Sequence, residues 1–322
     1  MTNQLTLSKH KFFDRKKILA IASLSIGVVA ISLSAIFIKW SEAEISAIAT
    51  VFNRFWIAAL VLAFWNSINF FYLQLLPHKS NKQSQEYTTY TKRVIILLVA
   101  LGFVYLVFLS LWAWSITQTS LAISTVLHNL TPIFTTLSAW LLFNKRFEPK
   151  FLIGMVLAIV GMIVIGIEDL QIAASGKISG DIAALLSAIF YAVYLLILEQ
   201  LRSKLSATKI LMWTSLTGAI LILPILIVTG EKIFPYSGKG WLFVICLAII
   251  CQALGHGLVA YSLKTLTSGF VALFLILDPV LTAIEAWAIF SEKLFVLDWI
   301  AFLSILIGIY LALSSQSSTQ NP

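Results

Sequence analysis

Long, uninterrupted apolar runs follow one another along most of this chain. Ten of them can be separated, at residues 18–39, 44–68, 94–114, 119–143, 150–168, 179–200, 208–229, 241–262, 268–290 and 297–315. An α-helix needs about 20 apolar residues to cross a hydrocarbon core of about 30 Å. The pattern therefore predicts ten transmembrane helices, which we number α1 to α10 in chain order.

Composition favours an all-α polytopic membrane protein over other classes of protein. Hydrophobic residues make up 60% of the 322 residues, charged residues make up 11%, and the mean hydropathy is +0.96. Soluble domains carry about 25% charged residues, so these values argue against a soluble enzyme. A transmembrane β-barrel would show alternating segments of about 10 residues, whereas the apolar runs here are continuous.

The basic residues flank the apolar runs, so the net charge of +8 indicates membrane orientation and not nucleic-acid binding. Links on the N-terminal side of the predicted helices contain 16 Lys and Arg residues, and links on the other side contain 5. Arg54, inside α2, completes the total of 22. The positive-inside rule then predicts a multi-pass protein of the inner (plasma) membrane with both termini cytoplasmic. The polar ends, MTNQLTLS and SSQSSTQNP, are predicted to be disordered.

The second half of the chain repeats the first. TPIFTTLSAW in α4 aligns with DPVLTAIEAW in α9 at an offset of 147 residues, which places Pro132 on Pro279. In α1 and α6, residues 27–37 and 180–190 share seven of eleven positions at an offset of 153. We infer two consecutive five-helix repeats.

The predicted boundaries are a cytoplasmic tail at 1–17, repeats at 18–168 and 169–315, and a cytoplasmic tail at 316–322. Because each repeat has an odd number of helices, the second repeat is inverted relative to the first. Inverted repeats place a binding site near the middle of the membrane, at the repeat interface, and support alternating access. This organisation predicts a transporter.

Four segments carry a resemblance to the EamA-type members of the drug/metabolite transporter superfamily. They are SAIF in α1, FNRFWIAAL around Arg54 in α2, LTPIFTTLSAWLLF at 130–143 and LDPVLTAIEAWAIF at 277–290. The resemblance covers residues 18–315. It implies gradient-driven export or exchange of small metabolites, including amino acids, through a cavity lined by α1, α3, α4, α6, α8 and α9. It also implies that α5 and α10 lie outside that cavity as a scaffold.

One departure from the family pattern concerns the end of each proline helix. The family has a Gly-Glu pair there, and this chain has Asn144-Lys145 in the first repeat and Ser291-Glu292 in the second. The loss of the first Glu weakens inferences about that helix end and leaves the fold unaffected.

Arg54 lies about ten residues into α2, near the middle of the membrane. Ionisable groups at this depth usually face a cavity or a partner. The guanidinium is suited to hold a substrate carboxylate with two parallel hydrogen bonds. The alternative is an ion pair that braces α2 against a neighbouring helix.

The two proline helices carry matching polar stripes. Asp278, Thr282 and Glu285 share one face of α9, and their equivalents on α4 are Thr131, Thr135 and Ser138. We expect the two stripes to meet across the pseudo-twofold axis. Asp278 and Glu285 are candidate proton-coupling sites, with a static partner for Arg54 as the alternative role. Pro132 and Pro279 are expected to kink their helices.

Further polar and aromatic residues lie deep in the predicted spans and are candidates for substrate binding. Helix packing is the alternative role for each of them. Together with Arg54, the candidates are Tyr105, His128, Asn129, Tyr191, Gln252, His256 and Phe274.

Metal, cofactor and catalytic signatures are missing from the sequence. No phosphate-binding loop of the form G-x-x-x-x-G-K-[ST] is present, so direct use of ATP is not expected. No metal-ligand cluster, cofactor motif or hydrolase motif is present either. Cys246 and Cys251 lie five residues apart in one apolar run, where buried, unreactive thiols are expected.

These observations predict a secondary active transporter that exports or exchanges small metabolites, with amino acids or related amphipathic solutes as substrates. A flippase for a lipid-linked or amphipathic head group remains open, as does an intramembrane enzyme that uses His128 or His256 with Asp278. The expected partners are a small-molecule substrate, the lipid bilayer and protons as coupling ion, with no nucleic acid. Either a monomer or a homodimer fits the sequence.

Overall fold

The computed structural model describes residues 2–75, 90–119, 121–170, 178–290 and 294–320. The helices are α1a Thr2–Ser32, α1b Ser34–Ser41, α2 Ala47–Leu75, α3 Lys92–Gln118, α4a Leu121–His128, α4b Thr131–Phe143, α5 Pro149–Leu170, α6 Ile178–Arg202, α7 Ala207–Thr229, α8a Gly238–Cys246, a π-helix Leu247–Gly255, α8b His256–Ser262, α9a Ser268–Phe274, α9b Leu277–Phe290 and α10 Val296–Leu313.

The predicted all-α polytopic fold is confirmed. Within the described ranges, nine helical segments are long and apolar enough to cross a membrane, and Pro149–Ile165 in α5 is a shorter apolar helix. Four of the spans are not continuous α-helices. The helices α1, α4 and α9 break into two halves, and α8 contains a π-helical segment. Ser291-Glu292, at the end of α9, lies outside the described residues.

The two ends of the helical bundle are defined by contacts between distant parts of the chain. Lys17 Nζ donates to Leu313 O at 3.0 Å, so Lys17 of α1a and the C-terminal end of α10 lie at one end of the bundle, the terminal face. At the opposite end, the far face, the Glu44 carboxylate accepts hydrogen bonds from the backbone N–H groups of Tyr236 and Ser237, and from the Ser237 hydroxyl. The Ser237 hydrogen bonds hold the pKa of the Glu44 carboxyl below its usual range.

Part of the C-terminal segment that was predicted to be disordered makes backbone hydrogen bonds with the rest of the chain. Helix α1a already begins at Thr2. After α10, Ser318 O accepts from Thr267 N at 3.1 Å and Gln320 N donates to Thr265 O at 2.9 Å. For these C-terminal residues the prediction was wrong because polar Ser, Thr and Gln residues, which are typical of loops, here satisfy backbone groups left open at helix ends.

Packing between helices follows a pseudo-twofold axis that exchanges the two repeats. Helix α1 packs on α8 as α6 packs on α3, and α9 packs on α1 as α4 packs on α6. Helix α2 packs on its own equivalent, α7, and α5 packs on α10. A twofold axis produces such pairs, because each contact between helices of different repeats recurs between the two equivalent helices.

The repeat register differs between the first helices and the rest of the chain. Ser46 and Ser206 each accept a hydrogen bond from the third residue of the helix that follows them, and they lie 160 residues apart (206 − 46). The ends of α1b and α6, at Ser41 and Arg202, lie 161 residues apart (202 − 41). The sequence match at an offset of 153 is therefore displaced by seven residues. Seven residues are about two helical turns, so residues seven positions apart lie on the same face of a helix. Apolar helix sequences can therefore align with a displacement of seven residues.

Small residues let α5 and α10 cross in close contact. A Cβ atom placed on Gly154 would lie 2.4 Å from Gly308 O, and one on Gly161 would lie 2.8 Å from Ala301 O. Ser304 Oγ donates to Leu157 O at 3.0 Å, and these two residues are 147 positions apart. Equivalent residues in contact mark the axis, so this crossing is a symmetric scaffold joint.

Replacing Gly308 with alanine tests this joint. The new methyl group would meet Gly154 O at 2.5 Å, and overpacking of this kind costs about 1–3 kcal/mol. We expect a lower midpoint of thermal unfolding in detergent. Gly257→Ala is the control, because its nearest neighbour, Leu211 Cδ1, is 3.7 Å away and alanine favours a helix over glycine by about 1 kcal/mol. Equal effects of the two substitutions would contradict the close crossing.

Candidate functional site

Arg54 is buried in the centre of the molecule and is held by a neutral group. Its side chain is 4% exposed. Arg54 Nε donates to Gln252 Oε1 at 2.7 Å. Among the residues that the structure describes, neither Nη atom has a protein acceptor and no carboxylate lies within 4.0 Å of the guanidinium. The bracing ion pair considered from the sequence is therefore not formed with Asp278 or Glu285.

Gln252 joins Arg54 to two further predicted residues. Gln252 Oε1 also accepts from the Tyr105 hydroxyl at 3.0 Å, and that hydroxyl lies 3.2 Å from His256 Nε2. We call Arg54, Tyr105, Gln252 and His256 the axial cluster. Gln252 Nε2 is buried and has no hydrogen-bond partner among the described residues.

The axial cluster lies on the pseudo-twofold axis. Tyr105 and Gln252 are 147 residues apart, so they are equivalent positions of the two repeats, and yet they contact each other. Two equivalent positions can meet only close to the axis that exchanges them. Gln252 belongs to the π-helix Leu247–Gly255, whereas its counterpart in α3 is α-helical. Single π-helical turns inside longer helices are frequent at functional sites.

An aromatic cluster adjoins the axial cluster. The ring centroids of Tyr105 and Tyr194 are 4.9 Å apart, and those of Phe108 and Tyr191 are 4.6 Å apart. The His128 ring is stacked on Tyr191 at 5.6 Å. The aromatic cluster also contains the buried Tyr194 hydroxyl, which has no hydrogen-bond partner among the described residues.

The carboxylates of α9 lie beside α1. Glu285 Oε1 accepts from Ser32 Oγ at 2.6 Å, while Glu285 Oε2 is buried without a partner in the described part of the chain. Asp278 Oδ1 is likewise buried and unpartnered there. Neither carboxyl group lies within 4.0 Å of the Arg54 guanidinium. The site thus contains a cation and two carboxyl groups that are not paired with it.

The two polar stripes do not meet across the axis as expected. Thr282 Oγ1 is 3.4 Å from Ser32 O, on α1. Thr131 Oγ1 donates to His128 O at 2.7 Å and lies 3.5 Å from Ala188 O, on α6. Each stripe faces the first helix of the other repeat. The expectation was wrong because the same twofold operator that relates the stripes places α1 beside α9 and α6 beside α4.

Pro132 and Pro279, which are equivalent positions of the two repeats, lie next to helix breaks. Helix α4 is interrupted between His128 and Thr131, and α9 is interrupted between Phe274 and Leu277. Each proline stands in the first turn of the following half-helix, where its missing N–H is not needed. The prolines therefore begin new helices in place of kinking continuous ones.

Two predicted residues lie apart from the axial cluster. Asn129 Nδ2 donates to Thr125 O at 2.9 Å, one turn back in its own helix. Phe274 is buried, and its ring lies 6.0 Å from that of Phe270. His128 joins the aromatic cluster, and its Nδ1 atom is 2.8 Å from Ser187 Oγ.

Sequence reasoning missed Phe108, Tyr194, Ser32 and Ser187 as site residues. Phe108 follows Tyr105 by three positions, and Tyr194 follows Tyr191 by three, so helical spacing could have identified both. No sequence signal distinguishes Ser32 or Ser187. Among the described residues, no group of three or more His, Cys, Asp or Glu side chains could hold a metal ion. Cys246 and Cys251 are free thiols.

Tyr105→Phe tests whether the axial cluster is a coupled network. The substitution removes the donor to Gln252 Oε1 and the neighbour of His256 Nε2. Loss of a buried hydrogen-bond partner costs about 1–3 kcal/mol, so the thermal midpoint should fall. Tyr310→Phe is the matched control, since that residue is 68% exposed on α10. An unchanged midpoint for Tyr105→Phe would show that the network contributes nothing to stability.

Comparison with known proteins gives a consistent result. The model of the EamA-like transporter family matches residues 18–167 and 178–314. An uncharacterized transporter of Archaeoglobus fulgidus is 24% identical over 285 residues, covering 88% of this chain and 93% of that protein. Human solute carrier family 35 member G1 is 28% identical over 173 residues, covering 50% of this chain and 46% of that protein. A solved crystal structure shares the fold, with a TM-score of 0.73 and 16% identity, covering 91% of this chain and 96% of the other.

Proposed function

The chain belongs to the EamA-like transporter family, and from this premise we propose that it is a secondary active transporter of amino acids or related zwitterionic, amphipathic metabolites. The observation that carries the proposal is the state of Arg54. A buried guanidinium with a neutral partner and two unused Nη groups is suited to receive a ligand carboxylate.

The cost of burying the positive charge of Arg54 favours an anionic ligand group. A buried charge is costly unless it is paired and hydrogen-bonded. Gln252 satisfies one N–H of Arg54 but brings no negative charge. A ligand carboxylate would supply that charge and accept two parallel hydrogen bonds, the geometry that guanidinium favours.

The carboxyl groups of α9 complement the other end of such a ligand. Asp278 and Glu285 each have an oxygen without a partner in the described part of the chain. An ammonium group would pair with either one while the ligand carboxylate binds Arg54. The aromatic cluster around Tyr191 would then contact the apolar part of the ligand, as in most small-molecule sites.

Proton coupling follows from competition at the same carboxyls. A proton on Asp278 or Glu285 removes the charge that would hold the ligand ammonium. Proton binding and ligand binding are then mutually exclusive at that group, which is the requirement for exchange of one against the other. With the termini cytoplasmic, as the basic residues predict, an inward proton gradient would drive export across the inner membrane.

Alternating access is supported by the inter-repeat contacts at both ends of the bundle. At the terminal face, Lys145 Nζ of the first repeat is 2.8 Å from Glu199 Oε1 of the second. At the far face, Glu44 of the first repeat binds the loop that carries Ser237 of the second. Inverted repeats would exchange these two sets of contacts as the site opens to one face and then the other.

Gln252→Glu tests the anion site directly. A glutamate can keep the contacts of Gln252 Oε1 and adds the negative charge that Arg54 lacks. We expect a higher thermal midpoint without ligand and loss of the stabilisation that amino acids give the parent protein. Gln200→Glu is the control, because it makes the same chemical change on α6 at the terminal face. Stabilisation by amino acids that survives in Gln252→Glu would contradict carboxylate binding at Arg54.

Asp278→Asn and Glu285→Gln test proton coupling. The protein is reconstituted in liposomes with the amino acid that stabilises it most. We expect at least one variant to lose uptake driven by a pH gradient while keeping exchange of labelled for unlabelled substrate, which needs no gradient. Glu42→Gln, at the far face, should keep both activities. If both α9 variants retain gradient-driven uptake, coupling at these carboxyls is excluded.

A further inference from the structure

An apolar groove runs between α4b and α5 on the outside of the first repeat. Its cavity volume is about 590 Å³, and its lining includes Ile133, Leu137, Trp140, Leu152, Met155 and Arg146. Most of its apolar side chains are partly exposed, with Trp140 at 54% and Leu137 at 45%. In a bilayer, these exposed apolar surfaces of α4 and α5 face hydrocarbon.

The length of the groove corresponds to one leaflet of the bilayer. It begins at Ile133 and continues towards Phe143, where α4b ends. Ten residues of α-helix rise about 15 Å, which is half of a hydrocarbon core of about 30 Å. Arg146 follows just beyond the helix end, at the terminal face. The groove therefore extends from mid-membrane to one membrane surface.

A cation without a protein partner stands at the surface end of the groove. Arg146 is exposed and makes no hydrogen bond or ion pair with any residue that the structure describes. Its neighbour Lys145 is different, because it is paired with Glu199 at 2.8 Å. The groove thus combines an apolar length with a positive charge at its mouth.

We propose that this groove binds one anionic glycerophospholipid from the leaflet at the terminal face. An acyl chain lies along Ile133, Leu137 and Trp140, and the phosphate pairs with Arg146. Basic residues beside membrane-embedded grooves bind anionic head groups in this way. The lipid site is separate from the axial cluster, so it does not depend on the identity of the transported solute.

The second repeat supplies an internal comparison. At the offset of 147, Leu152 corresponds to Trp299 (152 + 147) and Met155 corresponds to Phe302 (155 + 147). The rings of Trp299 and Phe302 pack against each other at 5.6 Å. In the second repeat, larger aromatic side chains therefore stand at the positions equivalent to Leu152 and Met155. Replacing these two residues with aromatic ones should fill the groove.

The experiment measures retained lipid by native mass spectrometry after purification in neutral detergent. Phosphatidylglycerol or phosphatidylcholine is added back to the delipidated protein. We expect one phosphatidylglycerol to bind more tightly than phosphatidylcholine. Arg146→Gln should weaken phosphatidylglycerol binding about fivefold, the effect of one basic residue at a membrane surface, and remove the preference. Lys150→Gln, at an exposed position outside the groove lining, should leave both affinities unchanged.

Leu152→Trp distinguishes the groove from non-specific binding around the protein. It should abolish retention of both lipids while leaving all charges in place. Met155→Phe is the second filling variant, and the thermal midpoint of each variant confirms folding. Equal binding of the two lipids by the parent protein, or full retention by a folded filling variant, would overturn the proposal. A loss in Lys150→Gln equal to that in Arg146→Gln would overturn it as well, because binding would then follow net charge.

Discussion

A guanidinium in the interior of a membrane protein has to have its charge stabilised, and here only neutral groups do so directly. Arg54 is tied to Gln252, which also accepts from Tyr105, so one amide oxygen organises α2, α3 and α8 around one point. The two Nη atoms of Arg54 are the groups that we propose bind a ligand carboxylate. The unpaired α9 carboxyls and the aromatic cluster gain their proposed roles from this incomplete neutralisation of Arg54.

Symmetric contacts between the two repeats form the scaffold, whereas the candidate site is formed by residues that differ between the repeats. The crossing of α5 and α10 uses equivalent small residues on both sides of the axis, as Ser304 and Leu157 show. At the site, equivalent positions have diverged, since Tyr105 stands opposite Gln252 and Thr131 corresponds to Asp278. The two repeats therefore have similar backbones but different ionisable groups. Both carboxyl groups lie in the second repeat, and Arg54 lies in the first.

Much of the fold could be predicted from the sequence because membrane-spanning helices are specified by hydrophobic length. The ten runs and the depth of the ionisable residues follow from that signal, and the repeat follows from matching residues at an offset of 147. The π-helix around Gln252 could not be predicted, since it depends on packing and not on residue type. The 153 offset misled for a physical reason, because apolar helices match themselves every two turns. The order of the C-terminal residues was missed because their hydrogen-bond partners lie in distant loops.

The most direct measurement compares matched ligand pairs on the parent protein. Each amino acid is tested beside its amide, which has the same side chain and ammonium group but no carboxylate. A ligand present at about 100 times its dissociation constant stabilises a protein by about 2.7 kcal/mol, which thermal unfolding in detergent resolves. Stabilisation by the acids and not by the amides is the result expected if Arg54 binds the carboxylate. Equal stabilisation by acid and amide would contradict it, and absence of any shift would favour transport of a lipid-linked group.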